Sequence, residues 1–124
     1  MLSDSRLIGF VATTDYSKAR AFYEGQLGLR FVSQDPFALV LDSNGNMIRI
    51  PQVKEVKPQS FTVLGWEVTG IETKVAELAK KGIVFEKYGL PGQDERGIWS
   101  APGGAKVAWF KDPDGNVLSI SQHQ

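Results

Sequence analysis

The chain of 124 residues contains no cysteine, which excludes disulfides, thiolate nucleophiles and thiolate metal sites together. The redox compartment is therefore unconstrained. Its one histidine, His123, is the penultimate residue, where fraying argues against a structural ligand. With that histidine alone and no cysteine, neither a Ser-His-Asp nor a Cys-His arrangement can be assembled. Fourteen basic and fourteen acidic residues cancel, leaving no excess charge to draw nucleic acid or an anionic membrane. No run approaches the roughly 20 apolar residues of a membrane span, and no apolar stretch of signal-peptide length follows the first six residues. The expectation is a cytoplasmic protein without nucleic-acid or membrane partners, its 42% hydrophobic content sufficient for one core.

What is present is a duplication. Between Ala108 and Ile120 the run Asp112-Pro113-Asp114-Gly115-Asn116 has the residues of a turn, with proline presetting φ and glycine accepting a positive value. Apolar segments flank it, so a hairpin is expected. An earlier copy, Asp42 to Ile50, turns at Asn44-Gly45, a strong hairpin dipeptide, and aligns without a gap on Asp112 to Ile120. Each hairpin is preceded by a helical segment ending at a glycine, Gly28 or Gly82, suited to the position just past a helix end. These glycines are 54 residues apart, whereas Gly45 and Gly115 are 70 apart. The 16 extra residues fall at 89–104, whose glycines and prolines read as a surface loop, and long loops on a regular scaffold often carry function.

In chain order, Leu7 to Thr13 is short and continuously apolar, which suits a strand buried on both faces. Asp15 caps a helix whose Tyr16, Ala19, Phe22, Tyr23 and Leu27 share one face. Strands at 29–34, 37–41 and 47–50 follow. The second half repeats the order: a strand at 61–68, a helix from Ile71 to Lys81, then strands at 83–88, 105–111 and 116–121. The organisation is one domain over 1–124, with module one at 5–52, a linker at 53–60 and module two at 61–121. Both halves are βαβββ, an α+β fold.

Paired βαβββ modules, the run Asp15-Tyr16-Ser17-Lys18-Ala19-Arg20-Ala21-Phe22-Tyr23 leading to Leu27-Gly28-Leu29, and Phe110 to Asn116 together resemble the vicinal oxygen chelate superfamily. That group holds glyoxalase I, bleomycin resistance proteins, fosfomycin resistance enzymes and extradiol dioxygenases. The resemblance covers nearly the whole chain. It implies two tandem half-barrel sheets around a concave cavity, and a homodimer as a frequent assembly. Metal-binding members carry His, Gln or Glu at four strand positions that here fall on Ile8, Arg49, Val63 and Ser119. Two aliphatic groups, a guanidinium and a hydroxyl are a poor donor set for a divalent cation. The resemblance therefore points to the metal-free branch, with no cofactor and a small organic molecule bound in the cavity, as drug-sequestering members do. The alternative is an enzyme of lyase, isomerase or dioxygenase type, using Arg49 and Glu67 or a metal site that the alignment misses.

Strand alternation gives an independent view of the concave face. Ile48, Ile50, Leu64, Trp66, Val68, Leu118 and Ile120 are expected to pack, turning Ile8, Phe10, Met47, Arg49, Val63, Gly65, Glu67 and Ser119 the other way. That face is mostly apolar with a few polar groups, as small-molecule sites are. Phe10, Arg49, Glu67, Trp99 and Ser119 are the candidate ligand-binding residues. Arg49 holds an oxyanion through its bidentate fork with Glu67 orienting it or acting as a base, or the two pair across strands or stand in solvent. Ser119 is a spacer or a hydrogen-bond donor. Trp99 and Trp109 are core filler, dimer contacts or stacking platforms.

Overall fold

The computed structural model describes residues 1–123. The chain divides between Lys57 and Pro58 into two compact units. In the first, strand β1 (Ile8–Phe10) leads to helix α1 (Tyr16–Arg20) and then to β2 (Arg30–Gln34), β3 (Leu39–Ser43) and β4 (Asn46–Ile50). In the second, β5 (Leu64–Glu67) leads to α2 (Ile71–Lys80), β6 (Trp99–Ser100), β7 (Lys106–Lys111) and β8 (Val117–Gln122). The sheet orders are β1-β4-β3-β2 and β5-β8-β7-β6. In each sheet the first strand runs parallel to the last and the other pairs are antiparallel. Both units are thus βαβββ, and the fold is α+β with two tandem mixed sheets.

Local chemistry accounts for the helix start. Asp15 adopts extended backbone and its carboxylate accepts the amide of Ser17 at 2.8 Å, satisfying one of the orphan donors of the first turn. The helix expected to run to Leu27 instead widens after Arg20 into a π-helical segment, Ala21–Gln26, where the Leu27 amide reaches back to the Phe22 carbonyl at 2.9 Å. This geometry buries the consecutive rings of Phe22 and Tyr23 together, edge to face with centroids 5.0 Å apart. They join Ala19, Leu39, Leu41, Ile48 and Ile50 among the buried residues of the first unit. In the second unit α2 lies against β8, and Ile71, Val75, Phe110, Leu118 and Ile120 are buried.

Three expectations are corrected. The first strand is not buried on both faces: Ile8 and Phe10 are 42% and 60% exposed, because β1 is an edge strand covered on one face only. The segment 83–88 does not form a strand; its backbone meets β7 through a bridge between Phe85 and Phe110 and a bond from the Glu86 amide to the Trp109 carbonyl at 2.8 Å, and the rest of its contact with β7 is through side chains. The second strand of the second unit comes instead from within 89–104, where Trp99 and Ser100 pair with Val107 and Lys106. That segment is no simple surface loop, since Ile98 is buried. Side-chain bonds organise it. The Gln93 amide nitrogen donates to the Glu86 and Gly97 carbonyls, both at 3.0 Å, while its oxygen accepts the Tyr88 amide at 2.8 Å. Gly97 has φ of 94°, and a Cβ there would lie 3.0 Å from Cβ of Phe85, so the segment closes tightly only on glycine.

The internal repeat is true of the closing strands and slips by one residue in the opening ones. Arg49 lies opposite Val40, whereas its sequence counterpart Ser119 lies opposite Trp109. The cause is turn length. Asn44 and Gly45, with φ of 53° and 86°, close the first hairpin in two residues, the primed turn that strand twist favours. The second hairpin spends residues 112–116 on its turn.

Candidate functional site

Because side chains alternate across a strand, the register fixes which residues share the uncovered face of each sheet. In the first unit Ile8 lies beside Met47, and Phe10 beside Arg49, with Val40 on the other side of Arg49. Ile48 and Ile50 turn the opposite way and are buried. This face holds a recess of ≈ 340 Å³ whose walls include Ile8, Val32, Val40 and Met47, with Arg6, Arg30 and Asp42 as its charged groups. Arg6 donates to the Gly45 carbonyl, and Arg30 stands 3.8 Å from the Asp42 carboxylate. Arg49 is half-buried, and among the described residues its guanidinium makes one contact of hydrogen-bond type, to the thioether of Met47 at 4.0 Å. No ion pair holds it among the described residues.

In the second unit Gly65 lies beside Ser119, Glu67 beside Ser121, and Trp109 on the other side of Ser119. Glu67 is exposed at the end of β5. Ser119 is buried, and Gly65 leaves the room it occupies: a Cβ at Gly65 would sit 3.0 Å from the serine Oγ. The recess on this face, ≈ 450 Å³, is formed by Ser60, Phe61, Thr62, Tyr88, Leu90, Trp109 and Val117. Tyr88 meets Trp109 edge to face with centroids 5.5 Å apart, and Trp99 packs beside Trp109 at 5.9 Å. The Trp99 indole donates to the Pro91 carbonyl at 3.0 Å, which fixes its ring. Burial, with the nearby Glu86 charge, raises the Tyr88 phenol above its ordinary range.

Of the five candidate residues, Phe10 and Arg49 therefore share the first open face, and Ser119 and Glu67 belong to strands of the second sheet. Trp99 buttresses Trp109 without lining the recess itself. Sequence reasoning missed Phe61, Tyr88 and Leu90, and on the first unit Arg6, Arg30 and Asp42. One signal was available. Extending the alternation of β5 backwards puts Phe61 on the side of Val63, and both are exposed.

The resemblance assigns the metal-ligand positions to Ile8, Arg49, Val63 and Ser119. Ile8 and Val63 are exposed aliphatics, Arg49 brings a positive charge, and Ser119 supplies a single hydroxyl. Among the described residues no three His, Cys, Asp or Glu side chains gather to form an alternative site. His123 is exposed and shares a hydrogen bond with the Ser121 hydroxyl at 2.9 Å. Nor is any helix among the described residues long and apolar enough to cross a membrane.

Comparison with known proteins agrees with this architecture. The glyoxalase family protein from Enterococcus faecalis is 20% identical and superposes with a TM-score of 0.73, covering 98% of this chain and 99% of that one. An integron cassette protein from the mobile metagenome of the Halifax Harbour sewage outfall is 23% identical, with a TM-score of 0.73 over 97% of this chain and 99% of the other. At these identities the likeness is one of fold. An S-layer-related protein of Niallia circulans is 28% identical over 74 residues, which make up 60% of this chain and 5% of that protein, so the chain spans a small part of that relative's length. The model of the glyoxalase/bleomycin resistance protein/dioxygenase superfamily matches residues 7–120. The chain belongs to that superfamily.

Proposed function

We propose that the protein binds a small organic molecule against the open faces of its sheets and does so without a resident metal ion. One feature supports this reading: the four positions that the resemblance assigns to metal ligands carry Ile8, Arg49, Val63 and Ser119, groups suited to contacting an organic ligand and unsuited to holding a cation. Recesses of ≈ 340 and ≈ 450 Å³ on the two faces fall within the range of small-molecule sites. Arg49 makes no close ion pair among the described residues, although after the amides of Phe37 and Ala38 its charge helps lower the Asp35 carboxyl, and it is the polar anchor of the first face, orienting a ligand oxygen through its planar fork.

A thermal-unfolding screen of protein stripped with a chelator tests the proposal. With the chelator still present, a subset of a mixed panel of aromatic, aliphatic and anionic compounds is expected to stabilise the protein. A ligand at a hundredfold excess over its Kd contributes about 2.7 kcal/mol. Stabilisation that appears only after nickel, zinc, manganese or ferrous iron is restored, together with near-stoichiometric retention of that metal, would overturn it.

A further inference from the structure

The second unit exposes five large hydrophobic side chains, Phe61, Val63, Val84, Tyr88 and Leu90, and three of them line the one recess with Trp109. Clustering of this kind leaves a continuous apolar surface in contact with water, which marks an interaction site more often than scattered apolar residues do. The walls are rings. Phe61 is 60% exposed, Tyr88 is 47% exposed, and the Trp109 indole is held between Tyr88 and Trp99. The recess residues carry no formal charge, and the polar groups among them are the hydroxyls of Ser60, Thr62 and Tyr88.

Comparison of the two units shows where this wall comes from. The strand position of Trp109 is held by Val40 in the first unit, and Leu90 belongs to the segment 89–104 that the first unit lacks, with Tyr88 immediately before it. The Gln93 bond to the Tyr88 amide, together with its two bonds to the Glu86 and Gly97 carbonyls, ties this insertion to the wall. The added residues therefore do more than lengthen a connection.

We infer that the recess of the second unit is a site for an uncharged planar aromatic ring, seated against Trp109 and Tyr88 with Phe61 at its edge. The inference rests on the small-molecule reading above and adds the class of ligand. Aromatic rings gain from edge-to-face and offset-stacked neighbours beyond simple burial, whereas a charged ring would lose hydration with no counter-charge in the recess to offset it.

The test uses the three tryptophan indole N–H signals in an NMR titration of the full chain with quinoline, neutral at pH 7. Cyclohexanol serves as a saturated ring, and benzamidinium and benzoate as charged rings. The Trp109 signal, assigned through Trp109→Phe, is expected to shift saturably with quinoline and to respond at least about fivefold more weakly to cyclohexanol, as ring-ring geometry worth about 1 kcal/mol implies, and more weakly to the two charged rings as well, because their lost hydration is not offset. Phe61→Ala, a change at an exposed position that the fold tolerates, is expected to weaken quinoline binding about threefold or more. Equal affinity for cyclohexanol, or tighter binding of either charged ring, would overturn the ligand class while leaving small-molecule binding intact. No response of Trp109 to any probe, while the thermal screen yields ligands, would place the binding site elsewhere. Silence in both experiments would remove the two readings together.

Discussion

Asp112 and its sequence counterpart Asp42 show how far the same residue can differ in consequence. The Asp112 carboxylate is buried and accepts the amides of Asp114 at 2.9 Å and Asn116 at 3.0 Å, as well as the Asn116 side-chain amide at 2.8 Å. Asp42 sits one step earlier in its hairpin and accepts one exposed amide, that of Gly45, at 3.3 Å. Removing an acceptor from a buried donor costs roughly 1–3 kcal/mol, and exposed donors turn to water instead. Asp112→Ala is therefore expected to lower unfolding free energy by about 3 kcal/mol, against less than about 1 kcal/mol for Asp42→Ala. Urea unfolding of the two variants measures the difference, and equal losses would show that the second turn is not organised by its carboxylate. Identical letters in an alignment conceal this difference because the five-residue turn draws its aspartate out of the strand.

Elements whose signals are local were legible. Asp15 capping, the Asn44-Gly45 turn, the Pro113-Asp114-Gly115 turn and the glycines after each helix, Gly28 and Gly82 with φ of 79° and 91°, all act within a few residues. The segment 83–100 was not legible for the opposite reason. Ile83 and Phe85 are buried and Val84 is 76% exposed, so the alternation of a strand is present, but pairing with β7 is confined to the bridge at Phe85 and the adjoining Glu86 amide. The order of 89–100 comes from Gln93 and Asp94 bonding to groups that composition cannot connect. Asp94 accepts the amides of Arg96 at 2.8 Å and Ile98 at 3.0 Å and pairs with the Arg96 guanidinium at 2.8 Å. Partial burial pushes its carboxyl up, but these donors outweigh that, and the group titrates below the usual aspartate range. A carboxyl with a depressed folded pKa stabilises fully above its unfolded value near about 3.9 and loses that contribution as pH falls through the folded value. The Ile98 amide resonance is thus expected to hold its native position down to about pH 4 and to move only below it. Asp94→Asn should abolish this step. A variant that follows the same pH profile as the parent would assign the transition to another group.

At the scale of the whole molecule, alternation placed Phe10 and Arg49 on the open face, because it depends only on strand register. It could not find the recess of the second unit, since Tyr88 and Leu90 come from a stretch without periodicity. Both open faces and several other sites leave large apolar groups in water: Leu7, Phe37, Phe61 and Val84 are between 60% and 84% exposed. What opposes association through such surfaces is net charge, and fourteen positive groups against fourteen negative leave almost none near neutrality. With no cysteine and one histidine, few groups titrate between the carboxylate and lysine ranges, so net charge stays near zero over about pH 6 to 9 and self-association is expected throughout that window. Below about pH 5 protonation of carboxylates leaves the molecule positive, and repulsion returns. Light scattering at fixed concentration is expected to form a plateau over about pH 6 to 9 and to fall toward about pH 4. Phe61→Ser should lower the plateau without moving its acid edge, because the substitution removes apolar surface and leaves every charge in place. A sharp peak inside the plateau, or an acid edge that shifts with this uncharged substitution, would show that titration of particular groups governs association in place of net charge.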